Sequence, residues 1–185
     1  MTEFNAPHDV ELGAEELSRR LGAACLARGV RVTTAESCTG GGVASAITAI
    51  AGSSVYFETG YVTYANIAKQ RLLGVSSDTL DIHGAVSEET VREMVAGACR
   101  DSGAELGVAI SGVAGPGGGS PDKPVGTVWF AWGNEHRQRV RCHHLSGDRQ
   151  GVRDLAVTVA LTGLIESLLE RDPDGQFASA ENPAP

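Results

Sequence analysis

Apolar positions change their period several times along the chain, and each change marks an element. Val10, Ala14, Leu17, Leu21, Ala24 and Cys25 recur at helical spacing, and Gly29 closes the run. "VRVTTAE" then alternates as a half-buried strand does. "GGVASAITAI" returns to helical spacing, and "TGYVTYA" is aromatic and β-branched, which predicts a strand. "IAKQRLLG" predicts a short helix with Asn66 placed to cap it. A clearer helix follows Ser87, with Glu88 and Glu89 favoured in its first turn by the helix dipole. Val91, Met94, Val95, Ala98 and Cys99 line one of its faces. "AELGVAIS" is an apolar strand ending at Ser111. "VGTVWFAW" and "RQRVRCHHL" predict a hairpin joined through Gly133-Asn134. From Gly151 to Glu170 the chain is apolar on most sides of a helix, so that helix is largely buried.

Helices at both ends and a hairpin between them predict a single-domain α/β/α sandwich with a mixed β-sheet, spanning residues 1–170. The 185 residues suit one domain with a sizeable core. Residues 171–185, "RDPDGQFASAENPAP", offer too little apolar surface to pack and read as a disordered tail. In sheets of this kind the crossovers are right-handed, and ligands bind beyond the carboxyl ends of the strands. Three segments with candidate chemistry fall there: the turn at Ser37, the stretch Asn66 to Lys69, and the loop after Ser111.

Charge narrows the partners. The formal net charge is -8 with a pI near 5.1, and no Lys/Arg cluster occurs, so nucleic acid is a poor partner. The N-terminus, "MTEFNAPHDVELGAEEL", has neither a basic nor an apolar targeting region. The longest apolar run, Leu155 to Leu169, contains Glu166 and reads as a buried helix. These features predict a cytoplasmic protein with no membrane span. The four cysteines form no CxxC and stand at no metal-type spacing to histidine. His143 and His144 are strand neighbours on opposite faces, so no metal is expected. A homo-oligomer is left open, because the sequence does not give the oligomeric state.

Candidate chemistry concentrates in "TTAESCTGGG". Ser37 and Cys38 are adjacent potential nucleophiles where a strand breaks. Thr39, Gly40 and Gly41 lead into a helix, whose free amides favour an anion. The pattern is neither GxGxxG nor GxxxxGK[ST], so the alternative is a tight turn that needs glycine. A serine needs a base, whereas a thiol can be activated by a helix N-terminus. No histidine stands in an obvious motif, and His83 reads as a capping or surface residue. Lys69, in the first turn of its helix, is the candidate base if burial keeps it neutral. Spacing alone makes it an ordinary solvated lysine. In "SGDRQGVR", Asp148 can cap the last helix, while Arg149 and Arg153 share a face and suit a phosphate. The long loop "SGVAGPGGGSPDKP" lets a ligand approach backbone closely at Ser111 and Gly112.

Together "TTAESCTGG", "GYVTYANIAK", "GAVSEETV", "SGVAGPGGGSPDKPVGTVWFA" and "SGDRQGVR" resemble the CinA C-terminal domain family. Its stand-alone members include PncC-type nicotinamide mononucleotide amidases. The resemblance covers roughly Leu12 to Leu169. The N-terminal pyrophosphatase-like domain of full-length CinA has no counterpart in these 185 residues. The resemblance implies hydrolysis of nicotinamide mononucleotide to nicotinic acid mononucleotide and ammonia, without metal or organic cofactor. It implies Ser37 as nucleophile, Lys69 as base and Tyr64 as the motif tyrosine. The competing reading is a non-catalytic module that binds a pyridine nucleotide or serves competence. Ammonia release separates the two.

Overall fold

Six helices and five strands form along residues 12–170, the part of the chain that the computed structural model describes. They are α1 (Ala14–Arg28), β1 (Val32–Glu36), α2 (Gly42–Thr48), β2 (Phe57–Val62), α3 (Asn66–Leu73), α4 (Ser77–His83), α5 (Glu88–Ser102), β3 (Leu106–Gly112), β4 (Thr127–Gly133), β5 (Gln138–His144) and α6 (Arg149–Leu169). Val10 and the tail from Arg171 lie outside the described residues. The five strands make one sheet in the order β2-β1-β3-β4-β5. β2, β1 and β3 run parallel, and β4 and β5 are antiparallel additions, so the sheet is mixed as expected.

Strand alternation divides the core in two. Val108, Ile110 and Phe130 face one side, where they pack with Leu17 of α1, Ile47 of α2, and Leu161 and Leu164 of α6. On the other side a row of small residues crosses the sheet. Ala35 pairs with Ala109, and Ala109 with Ala131. Such a row gives a helix a smooth, low surface, and α5 lies on it through Met94, Val95 and Ala98. α3 in turn packs on α5 at Gly97. A Cβ on Gly97 would run into the backbone carbonyl of Leu73, which gives way less readily than the end of a flexible side chain. Gly97→Ala is therefore expected to destabilise the fold by roughly 1–3 kcal/mol, because overpacking outweighs the better helix propensity of alanine. The midpoint of urea unfolding measures this.

Three boundaries differ from the sequence reading. β2 stops at Val62, short of Thr63 and Tyr64, whose carbonyls turn away to a side-chain partner. Asn66 is the first residue of α3 and Ala65 its N-cap, with no side-chain cap bond. α4 was not expected. Its seven residues bury only Leu80, too few apolar positions to show a period, and Ser76 caps it by accepting the Asp78 N–H at 3.2 Å. At the last helix, Asp148 does cap α6, taking the Gly151 N–H at 2.8 Å. His143 is half-buried, edge-on to Phe130, while its neighbour His144 is exposed.

Candidate active site

The strand order places a switch point at β1. From β1 the chain crosses to β2 on one side, then returns past β1 to β3 on the other, so the carboxyl ends of β1 and β3 frame an open crevice. A cleft of about 290 Å³ lies there, near the lower bound of small-molecule sites. Ser37, Cys38, Tyr64, Lys69, Ser111, Gly112 and Arg149 line it, with the loop from Val113 forming one wall. The three segments singled out in the sequence do converge.

Ser37 follows β1 directly, and its N–H donates to the Ile110 carbonyl of β3 at 2.9 Å. Its hydroxyl lies 3.0 Å from Lys69 Nζ. Lys69 is wholly buried, 0% exposed. Its two other partners are the carbonyls of Thr63, at 2.7 Å, and Tyr64, at 3.3 Å, so none of its three partners carries a charge. Burial pushes its pKa down to about 8 from the usual 10.5. In the neutral amine, two N–H bonds go to the carbonyls and the lone pair meets the Ser37 O–H. The geometry thus turns the lone pair of a buried neutral amine towards the Ser37 hydroxyl. Cys38 behaves in the opposite way. Burial raises its thiol to about 11, so it stays protonated at neutral pH.

The glycine turn is not an open anion site. Glu36, 0% exposed, points its carboxylate into the start of α2. There it accepts the N–H groups of Gly41 at 3.0 Å, Val43 at 3.0 Å and Ala44 at 2.8 Å. Gly40 and Gly41 hold left-handed φ values of 62° and 95°, which the turn needs and other residues resist. Thr39, Gly40 and Gly41 are absent from the residues lining the cleft. This corrects the expectation that their helix start receives an anion, since the protein's own carboxylate occupies it. Glu36 is the residue that sequence reasoning missed, because its partners appear only once the helix has folded back.

The remaining candidates divide. Arg149 lines the cleft, donating to Gly115 O at 2.7 Å and to the Tyr64 hydroxyl at 3.2 Å, and so bridges two walls. Tyr64 is 61% exposed at the lip. Arg153 does not line the cleft, and it donates instead to Thr39 O at 3.1 Å, bracing the turn from outside. The hydroxyl of Ser111 is committed to the Ala85 carbonyl at 2.6 Å, which ties down another cleft segment. Gly112 leaves room for Val128, which a Cβ would strike at 2.7 Å. Both line the cleft, but they serve its walls.

A parallel-edged α/β sandwich with a buried serine–lysine pair at its switch point defines the class, and the CinA C-terminal domain matches residues 14–168. The chain belongs to the CinA C-terminal domain family. The nicotinamide-nucleotide amidohydrolase PncC of Pseudomonas putida is 54% identical over 150 residues, covering 81% of this chain and 94% of its own. The PncC of Escherichia coli K12 is 53% identical over 156 residues, covering 84% and 94%. Among solved structures, the competence damage-inducible protein A of Klebsiella pneumoniae superposes with a TM-score of 0.84 at 42% identity, covering 87% of this chain and all of that one.

Proposed function

We propose that this chain is an amidohydrolase that converts nicotinamide mononucleotide to nicotinic acid mononucleotide and ammonia through Ser37 and Lys69. The contact between Ser37 Oγ and the buried, uncharged-partnered Lys69 Nζ carries this reading. The likeness to nicotinamide-nucleotide amidohydrolases, over more than four fifths of this chain and 94% of theirs, supports the substrate class. Neutral Lys69 takes the Ser37 proton as Oγ bonds to the carboxamide carbon, and the carbonyl electron pair moves onto its oxygen. Collapse of this intermediate breaks the C–N bond. The nitrogen leaves as ammonia, taking its proton from the Lys69 ammonium directly or through Tyr64. Lys69 then deprotonates a water, which attacks the ester, and Ser37 regains its proton as nicotinic acid mononucleotide is released. The fixed positive charge of the pyridinium makes the carbonyl more electrophilic.

The test is direct: purified protein plus nicotinamide mononucleotide should release ammonia and the deamidated nucleotide in equal amounts. Binding without turnover would leave only a pyridine-nucleotide-binding module.

We assign the phosphate to Arg149, which lines the cleft, since the α2 start is filled by Glu36 and Arg153 turns to the Thr39 carbonyl. A charge-assisted contact is worth roughly 1.5–3 kcal/mol, so Arg149→Ala should raise KM by about ten- to a hundredfold. Nicotinamide riboside, with the same carboxamide and no phosphate, should be affected far less. Equal losses on both substrates would mean that Arg149 supports the cleft wall alone.

A further inference from the structure

The turn after β1 distributes its amides unequally. Of the eight N–H groups from Ser37 to Ala44, six have oxygen acceptors inside the protein. Ser37 donates to Ile110 O, Gly40 to Ser37 O and Gly42 to Thr39 O. Gly41, Val43 and Ala44 donate to the Glu36 carboxylate. The other two, on Cys38 and Thr39, follow the nucleophile directly and meet the sulfur of Cys38, a weak acceptor that itself lines the cleft.

We infer that Glu36 is a positioning residue of the reaction: by binding the amides at the start of α2, it fixes the turn so that the N–H of Cys38, a residue that lines the cleft, faces the oxygen that becomes negative as Ser37 attacks. The inference rests on the Ser37–Lys69 amidase reading. The physical argument is one of competition. An uncommitted helix start beside the cleft would draw in an anion, and the substrate carries one on its phosphate. Glu36 fills that position from within, on a strand end held by the bond from the Thr63 N–H to its own carbonyl at 2.8 Å. Its carboxylate thereby sets the direction of the chain from Ser37 to Gly41. The Cys38 amide then acts on charge that exists only in the transition state. Glu36 itself touches no substrate atom in this scheme.

The experiment compares Glu36→Gln and Glu36→Asp with the unaltered protein, using nicotinamide mononucleotide. Glutamine keeps the size but turns an N–H donor towards amides that also donate. Aspartate keeps the charge but draws it back by one methylene. Both should lower kcat, glutamine by about ten- to a hundredfold, with KM within about threefold and the acid limb set by Lys69 unmoved. A residue that only stabilises the fold would lower the melting temperature and leave kcat of the folded fraction intact. Full kcat in a cooperatively folded Glu36→Gln overturns the inference. If that variant does not fold, full kcat in folded Glu36→Asp overturns it equally. The Ser37→Ala variant runs alongside. If the unaltered protein releases no ammonia, or if Ser37→Ala retains activity, the amidase reading fails; if both behave as expected, the result on Glu36 stands by itself.

Discussion

Ser37→Ala is expected to lower kcat on nicotinamide mononucleotide by roughly ten-thousandfold or more, the scale seen when a nucleophile is removed from a working catalytic unit. The loss should fall on kcat with little change in KM, because the hydroxyl contributes mainly after binding. Cys38→Ala is the necessary comparison, since both side chains line the same cleft. The thiol is held protonated near neutral pH by burial, with a pKa of about 11, and Lys69 Nζ meets the serine hydroxyl at 3.0 Å. Cys38→Ala should therefore keep activity within about tenfold of the unaltered protein. Initial rates of ammonia release decide the matter. The reverse pattern, an active Ser37→Ala beside an inactive Cys38→Ala, would hand the attack to sulfur.

Lys69→Arg should be nearly as damaging, by at least a thousandfold, although it preserves charge and reach. A guanidinium does not give up its proton in a protein, so no base remains. The intact enzyme should show the matching pH dependence. With a pKa of about 8, roughly a tenth of Lys69 is neutral at pH 7, against a few parts in ten thousand for a lysine at 10.5. kcat/KM should climb about tenfold per pH unit below 8 and level off above it. A bound pyridinium adds a second positive charge beside the amine and lowers its pKa further. The limb in kcat should accordingly lie at lower pH than the limb in kcat/KM. A flat profile from pH 6 to 9 would remove Lys69 from the role of base.

The framework was legible where the pattern was long or strongly periodic. The single apolar face of α5 and the near-continuous apolarity of α6 both fixed their elements, and the polar turn after β1 marked a site. Lys69 was harder, because α3 inverts the usual rule. Ile67 and Leu72 are exposed, at 65% and 45%, while Lys69 and Leu73, four apart, face inward. An apolar count points to the wrong face of such a helix, and only the position four residues before a core leucine hints at burial. Glu36 was illegible for another reason. Its hydrogen bonds reach five to eight residues ahead across a turn whose left-handed glycines set the direction. No spacing rule covers that geometry. The phosphate reading of Thr39 to Gly41 went astray on the same point, since helix-start amides can be satisfied from inside the protein.

Burying an amine without a counter-ion also couples folding to proton release. The unfolded chain holds the Lys69 proton up to about pH 10.5, and the folded chain gives it up at about 8. Between those values the unfolded state binds more protons, so rising pH favours the folded one; below 8 the full cost of the buried charge is borne. The shift corresponds to at most about 3 kcal/mol. Cys25 and Cys38, whose thiols are raised by burial to about 12 and 11, act in the opposite sense above pH 9. The difference between the unaltered protein and Lys69→Met isolates the lysine. Measured by urea unfolding, that difference should move in favour of the unaltered protein as pH rises from 7 to 10.5. The fold is thus under greatest strain where the lysine is charged, and relaxes as the buried amine gives up its proton.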